Sequence, residues 1–195
     1  MDFKIARKNM VENQIRANKV TSLNVINAFL DVPREKFVPD ALQEISYVDE
    51  DIQLSRNRFM MKPMILARLF QSLNLKGNEN ILHVGSNSGY GSAILSRMCS
   101  SVISLESDKK LFETSIHTFS NMGFDNVVPL HGSMENGVEK EAPFDIIFIE
   151  GSIETEPKSL FSQLNENGKL IAIITQEKIK IAKPKLILKI KNKIV

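Results

Sequence analysis

Residues 81–98 read ILHVGSNSGYGSAILSRM: a short apolar run, a loop of small residues, then a segment of helical character. That order raises the question of a nucleotide-binding unit of a doubly wound α/β sheet. There the first strand ends in a loop, and the following helix presents unpaired backbone N–H groups to a ligand. In Gly85-Ser86-Asn87-Ser88-Gly89 the small side chains let a ligand approach the backbone, and Asn tolerates the left-handed conformation better than most residues. The spacing departs from the dinucleotide pattern G-x-G-x-x-G, because position 87 is Asn, and it lacks the Lys-Ser/Thr pair of a P-loop. Both phosphate-binding readings lose ground. An adenosine ligand gains it from Glu106, 21 residues after Gly85 at the end of the next apolar run. A carboxylate at that distance is suited to accept hydrogen bonds from ribose hydroxyls, although a solvated strand-end acid is the ordinary alternative.

Working outward, apolar runs recur at 81–84, 102–105, 126–130, 145–149 and 169–174, with helical segments at 90–98, 108–122 and 156–164 between them. Strands alternating with helices at this spacing imply right-handed crossovers and a mostly parallel, doubly wound sheet. Before residue 75 the chain reads helical. Segment 3–18 lacks Gly and Pro. Thr21 is a candidate cap for a helix over 22–31 with Leu23, Ile26 and Leu30 inward, and Pro63 opens a helix to Leu73. The expected organisation is a single domain over 1–195, with a helical N-terminal extension (1–75) and a Rossmann-like α/β core (76–195).

Composition sets broad limits. The 195 residues are 43% hydrophobic and 25% charged, ordinary for a globular protein. No apolar run reaches the length of a membrane span, the N-terminal stretch is charged, and Cys99 is the only cysteine, so a cytoplasmic setting without disulfides is expected. The formal charge of +2 conceals an asymmetry: residues 178–195 hold seven of the 25 basic residues and no acid. A basic tail suits nucleic acid, but LILKIKNKIV also describes a strand with one wet face. The absence of Trp and the presence of only two Tyr argue against stacking on bases, so nucleic acid is not an expected partner. His83, His117 and His131 have no metal-ligand spacing, and Cys99 has no nearby His/Asp motif, so neither a metal site nor a thiol nucleophile is expected. Asp145 fits best as a partner for local backbone at a strand entrance.

Six segments taken together carry a resemblance: MVENQIR (10–16), VPREKFVPD (32–40), HVGSNSGYGSAIL (83–95), SLESD (104–108), APFDIIFIEG (142–151) and SQLNENGKLIAII (162–174). In this order they resemble the protein-L-isoaspartate O-methyltransferases, over about residues 5–175. The resemblance implies a class I methyltransferase fold, S-adenosylmethionine as cofactor, and methylation of the α-carboxyl of isoaspartyl residues in damaged proteins. It implies that Gly85, Ser86, Asn87, Ser88 and Gly89 pass under the methionine part of the cofactor. By the same resemblance Glu106 holds the ribose, Ser107, Gly132 and Ser133 lie near the adenine, and Glu150 follows strand four where cofactor and substrate meet.

The chain departs from the family's pattern at four points. Phe59-Met60-Met61-Lys62-Pro63 stands where the family carries Thr-Ile-Ser-x-Pro, His83 replaces the strand-one acid, Ser133 replaces an Asp, and Asn87 replaces a Gly. No residue is assigned a catalytic role. The departures leave open a methyltransferase with another acceptor, whose pocket Met60 and Met61 would shape unless they are core, and a non-catalytic binding or scaffold protein. The resemblance also implies a closing C-terminal hairpin that is incomplete here. Either a lysine-coated edge remains beside the fifth strand, or residues 184–195 fill the gap.

Overall fold

The helical extension begins where Asp2 accepts the N–H groups of Lys4 and Ile5 at 3.0 and 3.1 Å, capping α1 (Phe3–Met10). The chain continues through a π turn (Val11–Ile15) and a 3₁₀ turn (Arg16–Asn18), stopping at left-handed Lys19. Ser22, not Thr21, stands at the cap of α2 (Leu23–Asp31). The Thr21 and Ser22 N–H groups are instead satisfied by Gln71 Oε1 at 2.7 and 2.9 Å. The inner face of α2 is Val25, Ile26, Ala28 and Phe29, whereas Leu23 is 65% exposed and Leu30 37% exposed. Helix α2 lies between α3 (Pro63–Leu73) and α4 (Tyr90–Ser96), and covering both rotates the buried stripe away from the expected one. Proline opens α3 at its first turn, as expected.

The computed structural model describes residues 1–176, 181–191 and 193–195. Its main sheet contains β3 (Asn80–Val84), β4 (Ser101–Glu106), β5 (Val127–His131), β6 (Phe144–Ile153), β7 (Leu164–Gln176), β8 (Ile181–Ile190) and β9 (Lys193–Ile194), in the order β5-β4-β3-β6-β7-β8-β9. The first five of these strands are mutually parallel. Helices α4, α5 (Lys109–Met122) and α6 (Lys158–Phe161) lie between them. The order reverses between β3 and β6, so the loops after β3, β4, β5 and the end of β6 share one edge of the sheet.

Alternation along the strands sorts the core into two sets. Ile81 and Phe148 face α4, the extension and Phe119. Leu82, Val84, Ile147 and Ile149 face the other way, toward Leu160 and Ile187. His83 is on the same side as Phe148, with ring centroids 5.0 Å apart.

One finding corrects the sequence reading and another decides between its two alternatives. A small antiparallel hairpin, β1 (Ile52–Ser55) and β2 (Arg58–Met60), precedes α3 and was not expected. At the C-terminus, β8 lies antiparallel along β7, from Lys169 opposite Leu188 to Gln176 opposite Ile181. The fifth parallel strand therefore has a partner, and the alternative of a bare edge there is excluded because backbone pairing satisfies it. Of the basic stretch 178–195, residues 178–180 and 192 lie outside the described residues. Among the described residues no helix is long and apolar enough to cross a membrane.

Candidate functional site

The loop after β3 is built on three left-handed residues: Gly85 (φ +73), Asn87 (φ +56) and Gly89 (φ +97). Asn87 takes this conformation where the family pattern has glycine. The Gly85 and Ser86 N–H groups donate to Leu105 O at 2.9 and 3.2 Å, and Gly89 N closes the turn on Ser86 O at 2.9 Å. The five loop residues do not share one role. Ser88 Oγ donates to Phe37 O, so its hydroxyl ties the loop to the N-terminal extension. Gly89 is required by packing as well as by its φ, because a Cβ there would lie 2.4 Å from Phe119 Cζ. Ser86 Oγ and Asn87 Oδ1, by contrast, are buried without a hydrogen-bond partner. Buried polar atoms are rarely left so unless a ligand or water completes them.

Glu106 closes β4 with its carboxylate 1% exposed. Oε2 accepts Asn87 N at 2.8 Å. Oε1 accepts Ser107 N and Asp108 N, each at 2.8 Å, and Arg58 Nε at 3.0 Å. Arg58 reaches in from the β1–β2 hairpin, and its Nη2 also donates to Ser107 Oγ at 2.9 Å and meets Met134 Sδ at 3.2 Å. Gly132 N donates to Glu106 O at 3.1 Å, bringing the 132–134 turn to the same place, where Ser133 is exposed. Asp108 caps α5 through Lys110 N and Leu111 N and accepts Ser55 Oγ from the hairpin at 3.0 Å.

Glu150 does not follow its strand but lies within it. Strand β6 runs on to Ile153 through a bulge between Phe148 and Ser152, where Gly151 has φ +121. The Glu150 side chain, 3% exposed, puts Oε2 3.0 Å from buried His83 Nε2. On the other ring nitrogen, His83 Nδ1 is 2.7 Å from Ser92 Oγ, which donates to Ser104 Oγ at 2.8 Å. Met61 N lies 3.5 Å from Glu150 Oε1, while Met61 O accepts Arg34 Nη2 at 3.0 Å. Arg34 is fully buried, with Nε donating to Ser46 O at 2.7 Å and the guanidinium 4.8 Å from the Tyr90 ring centre. Burial lowers the Arg34 pKa from its ordinary value, against the opposing pull of Tyr90 and Glu150. Met60 and Met61 both belong to the core, so the expectation that they are core residues holds over the one that they line a pocket.

The remaining candidates stand apart. Asp145 accepts Asn80 N at 2.9 Å and Asn165 Nδ2 at 2.7 Å, the local role expected of it. Burial pushes the Cys99 thiol up to about 12, which disfavours the nucleophilic thiolate. His131 Nε2 meets Ser107 O at 3.1 Å, and His117 is exposed on α5.

The sequence reading assembled the loop and Glu106, which the fold does bring together. It missed Arg58, Met134 and Arg34. Arg34 carried a signal in VPRE, since a positive charge between apolar runs demands partners if buried. Arg58 carried none, because its hairpin was not foreseen. The resulting site has a carboxylate able to accept from hydroxyls, orphaned polar atoms in a left-handed loop, and close backbone approach at Gly85. These features fit an adenosyl ligand.

Comparison with known proteins gives a consistent result. The family model described as Protein-L-isoaspartate(D-aspartate) O-methyltransferase (PCMT) matches residues 5–194. Protein-L-isoaspartate O-methyltransferase 2 of Anaeromyxobacter sp. (strain Fw109-5) is 33% identical over 165 residues, which is 85% of this chain and 68% of that protein. Protein-L-isoaspartate O-methyltransferase 1 of Syntrophobacter fumaroxidans is 33% identical over 171 residues, 88% of this chain and 80% of that one. Among solved structures, a candidate protein-L-isoaspartate O-methyltransferase from Plasmodium falciparum, in complex with S-adenosyl-L-homocysteine, superposes with a TM-score of 0.81 at 26% identity. The match covers all of this chain and 93% of that one. A second structure, named protein-L-isoaspartate O-methyltransferase, gives 0.83 at 24% identity; the match covers 95% of this chain but only 60% of that one, and shows the fold.

Proposed function

Because the chain belongs to the protein-L-isoaspartate (D-aspartate) O-methyltransferase family, we propose that it binds S-adenosylmethionine and methylates the α-carboxyl of isoaspartyl residues in damaged proteins. The observation that carries this reading is the 2.8 Å bond from Asn87 N to Glu106 Oε2. It fixes the loop that would pass under the methionine end of the ligand to the carboxylate that would hold its ribose. In the same reading Ser107, Gly132 and Ser133 border the adenine, and the orphaned Ser86 Oγ and Asn87 Oδ1 find partners on the ligand. Residues 1–75 act as an extension that braces this core, and the single cysteine suits a cytoplasmic setting.

When bound, S-adenosylmethionine supplies an electrophilic methyl group carried on a sulfonium. The acceptor carboxyl, with an ordinary value near 4, is already ionised at neutral pH. No residue of this chain therefore has to remove a proton. What the chain contributes is alignment and exclusion of water, and that contribution is large whenever two reactants are held in order. Met61 stands where the family's hydroxyl segment would meet the acceptor, and its main chain is pinned between Arg34 and Glu150. Backbone groups, rather than a hydroxyl, are left to orient the acceptor.

The test is calorimetric titration of the chain with S-adenosylhomocysteine, beside transfer of labelled methyl to an isoaspartyl peptide. Binding that falls about tenfold or more in Glu106→Gln, in a variant with an unchanged far-UV spectrum, supports the reading, since a charge-assisted hydrogen bond contributes about 1.5–3 kcal/mol. A folded chain that binds no S-adenosylhomocysteine overturns it. Binding without transfer to the peptide, but with transfer to lysate proteins, would retain the cofactor and replace the acceptor.

A further inference from the structure

One oxygen of the Glu106 carboxylate, Oε1, is saturated by its own chain. A carboxylate offers about four lone-pair positions. The four closest donors are unevenly placed: Ser107 N, Asp108 N and Arg58 Nε lie on Oε1 at 2.8–3.0 Å, and Asn87 N alone lies on Oε2 at 2.8 Å. Oε2 has room for one ribose hydroxyl, but a second has to reach Oε1, where a donor has to leave. Three of the four are backbone N–H groups of the loops that define the site, and they cannot leave without unfolding it. The fourth is a side chain.

Arg58 is suited to leaving. Its side chain is 24% exposed, against 1% for Glu106, and it stands next to the exposed Arg56-Asn57 turn. The hairpin is anchored at the other end, where Ile52 and Met60 pair and are both buried, so the guanidinium can swing out while the strands stay. Its second arm touches Ser107 Oγ and Met134 Sδ, and the Met134 sulfur also lies 3.5 Å from where a Cβ on Gly85 would be. One guanidinium thus spans the acceptor proposed for the ribose and the hydroxyl proposed for the adenine side.

We propose that Arg58 is an internal competitor for the adenosyl ligand: it latches the 52–60 hairpin onto Glu106 and Ser107, and the ligand's ribose displaces it. The proposal rests on the reading of Glu106 as the ribose acceptor. Its consequence is that apparent affinity is reduced by the fraction of molecules in which the latch is closed. The two other ties of the hairpin to the site, Ser55 Oγ to Asp108 and Asn87 Nδ2 to Phe59 O at 3.3 Å, keep the strap near the ligand after release.

The experiment titrates S-adenosylhomocysteine into the full chain and into Arg58→Ala and Arg58→Lys, with hydrogen exchange followed across residues 52–60. Arg58→Ala is expected to bind about tenfold more tightly, with Arg58→Lys between it and the parent. Ligand should loosen exchange in the parent hairpin but change little in Arg58→Ala, where the latch is already absent. Equal affinity in parent and Arg58→Ala overturns the latch and leaves the cofactor reading standing. Weaker binding by a normally folded Arg58→Ala also overturns it, because Arg58 would then be a ligand contact. No binding by any of the three folded chains overturns the cofactor reading, and the latch with it.

Discussion

His83 Nε2 and Glu150 Oε2 lie 3.0 Å apart with both side chains out of solvent, joining β3 to the bulge of β6 at the point where the strand order reverses. The family's acid on the first core strand is missing from this chain, and an acid from the adjacent strand β6 stands against its replacement. Removing one partner of a buried pair leaves the other uncompensated, whereas removing both with apolar groups of similar size costs less. Glu150→Ala is therefore expected to lose about 1–3 kcal/mol of unfolding free energy, the cost of leaving a buried polar group unpaired. Glu150→Gln, which retains a hydrogen-bonding partner for the imidazole, should lose much less. The double variant His83→Leu/Glu150→Leu should be less destabilised than the sum of its singles in a urea-unfolding cycle. Additive singles would show that the two residues act independently.

Gly89 tests how much of the loop's glycine content serves packing. A methyl group there meets Phe119 at 2.4 Å and sits on a backbone with φ +97, while Gly77 has φ +101 and nothing within 4 Å. Gly77→Ala carries conformational strain alone and is expected to cost about 1 kcal/mol. Gly89→Ala adds overpacking and is expected to cost about 3 kcal/mol. Phe119→Leu, which shortens the opposing ring, should recover part of the second loss and none of the first. Denaturation midpoints of the three single variants, and of Phe119→Leu combined with each glycine variant, decide it.

The alternation of strands and helices after residue 80 was legible because each apolar run is short and bounded, and all five parallel strands lie where the runs are. Glu106 was legible for a similar reason, since a carboxylate at a strand end needs only spacing to be recognised. The face of α2 was not, because its burial is decided by α3 and α4, which approach from sides that local periodicity does not encode. The β1–β2 hairpin was missed because QLSRNRF lacks both strong alternation and a Gly turn, and its buried anchors, Ile52 and Met60, are eight residues apart. Arg58 was hidden with it. The C-terminal strand stood as one of two alternatives, since a lysine-alternating segment reads the same whether it pairs with β7 or runs free.

Asp108 links acid stability to the hairpin. Burial would raise its pKa, but hydrogen bonds from Leu111 N, Ser55 Oγ and Lys110 N, with the nearby Arg58 charge, outweigh that and hold it below its ordinary value of 3.8. A carboxyl depressed on folding stabilises the folded state above its unfolded pKa, and that stabilisation is lost as pH falls through the folded value. Thermal midpoints should therefore fall as pH drops below about 4, the unfolded carboxyl range, with part of that loss due to Asp108. Asp108→Asn keeps a capping oxygen for α5 but cannot titrate, so its midpoint should decline less steeply over the same interval. Parallel curves for the two chains would assign the acid loss to other carboxyls.

Arg34 offers the sharpest separation between charge and shape. Its guanidinium holds two carbonyls from different segments, Ser46 O and Met61 O, while lying against the Tyr90 ring. A lysine keeps the charge but concentrates its donors on one atom, which cannot span both carbonyls and brings a more strongly hydrated ion into a fully buried position. Arg34→Lys is therefore expected to lose about 2–3 kcal/mol, the cost of a buried acceptor left unpaired together with the ion's desolvation. Met61 connects this loss to the site, because the carbonyl Arg34 holds belongs to the residue whose N–H faces Glu150. In Arg34→Lys, assayed well below its melting temperature, the KM for an isoaspartyl peptide should rise more than that for S-adenosylmethionine, because under the proposed function the Met61 main chain lies beside the acceptor and Glu106 beside the cofactor. Equal rises in both constants would mean that Arg34 supports the whole site rather than its acceptor side.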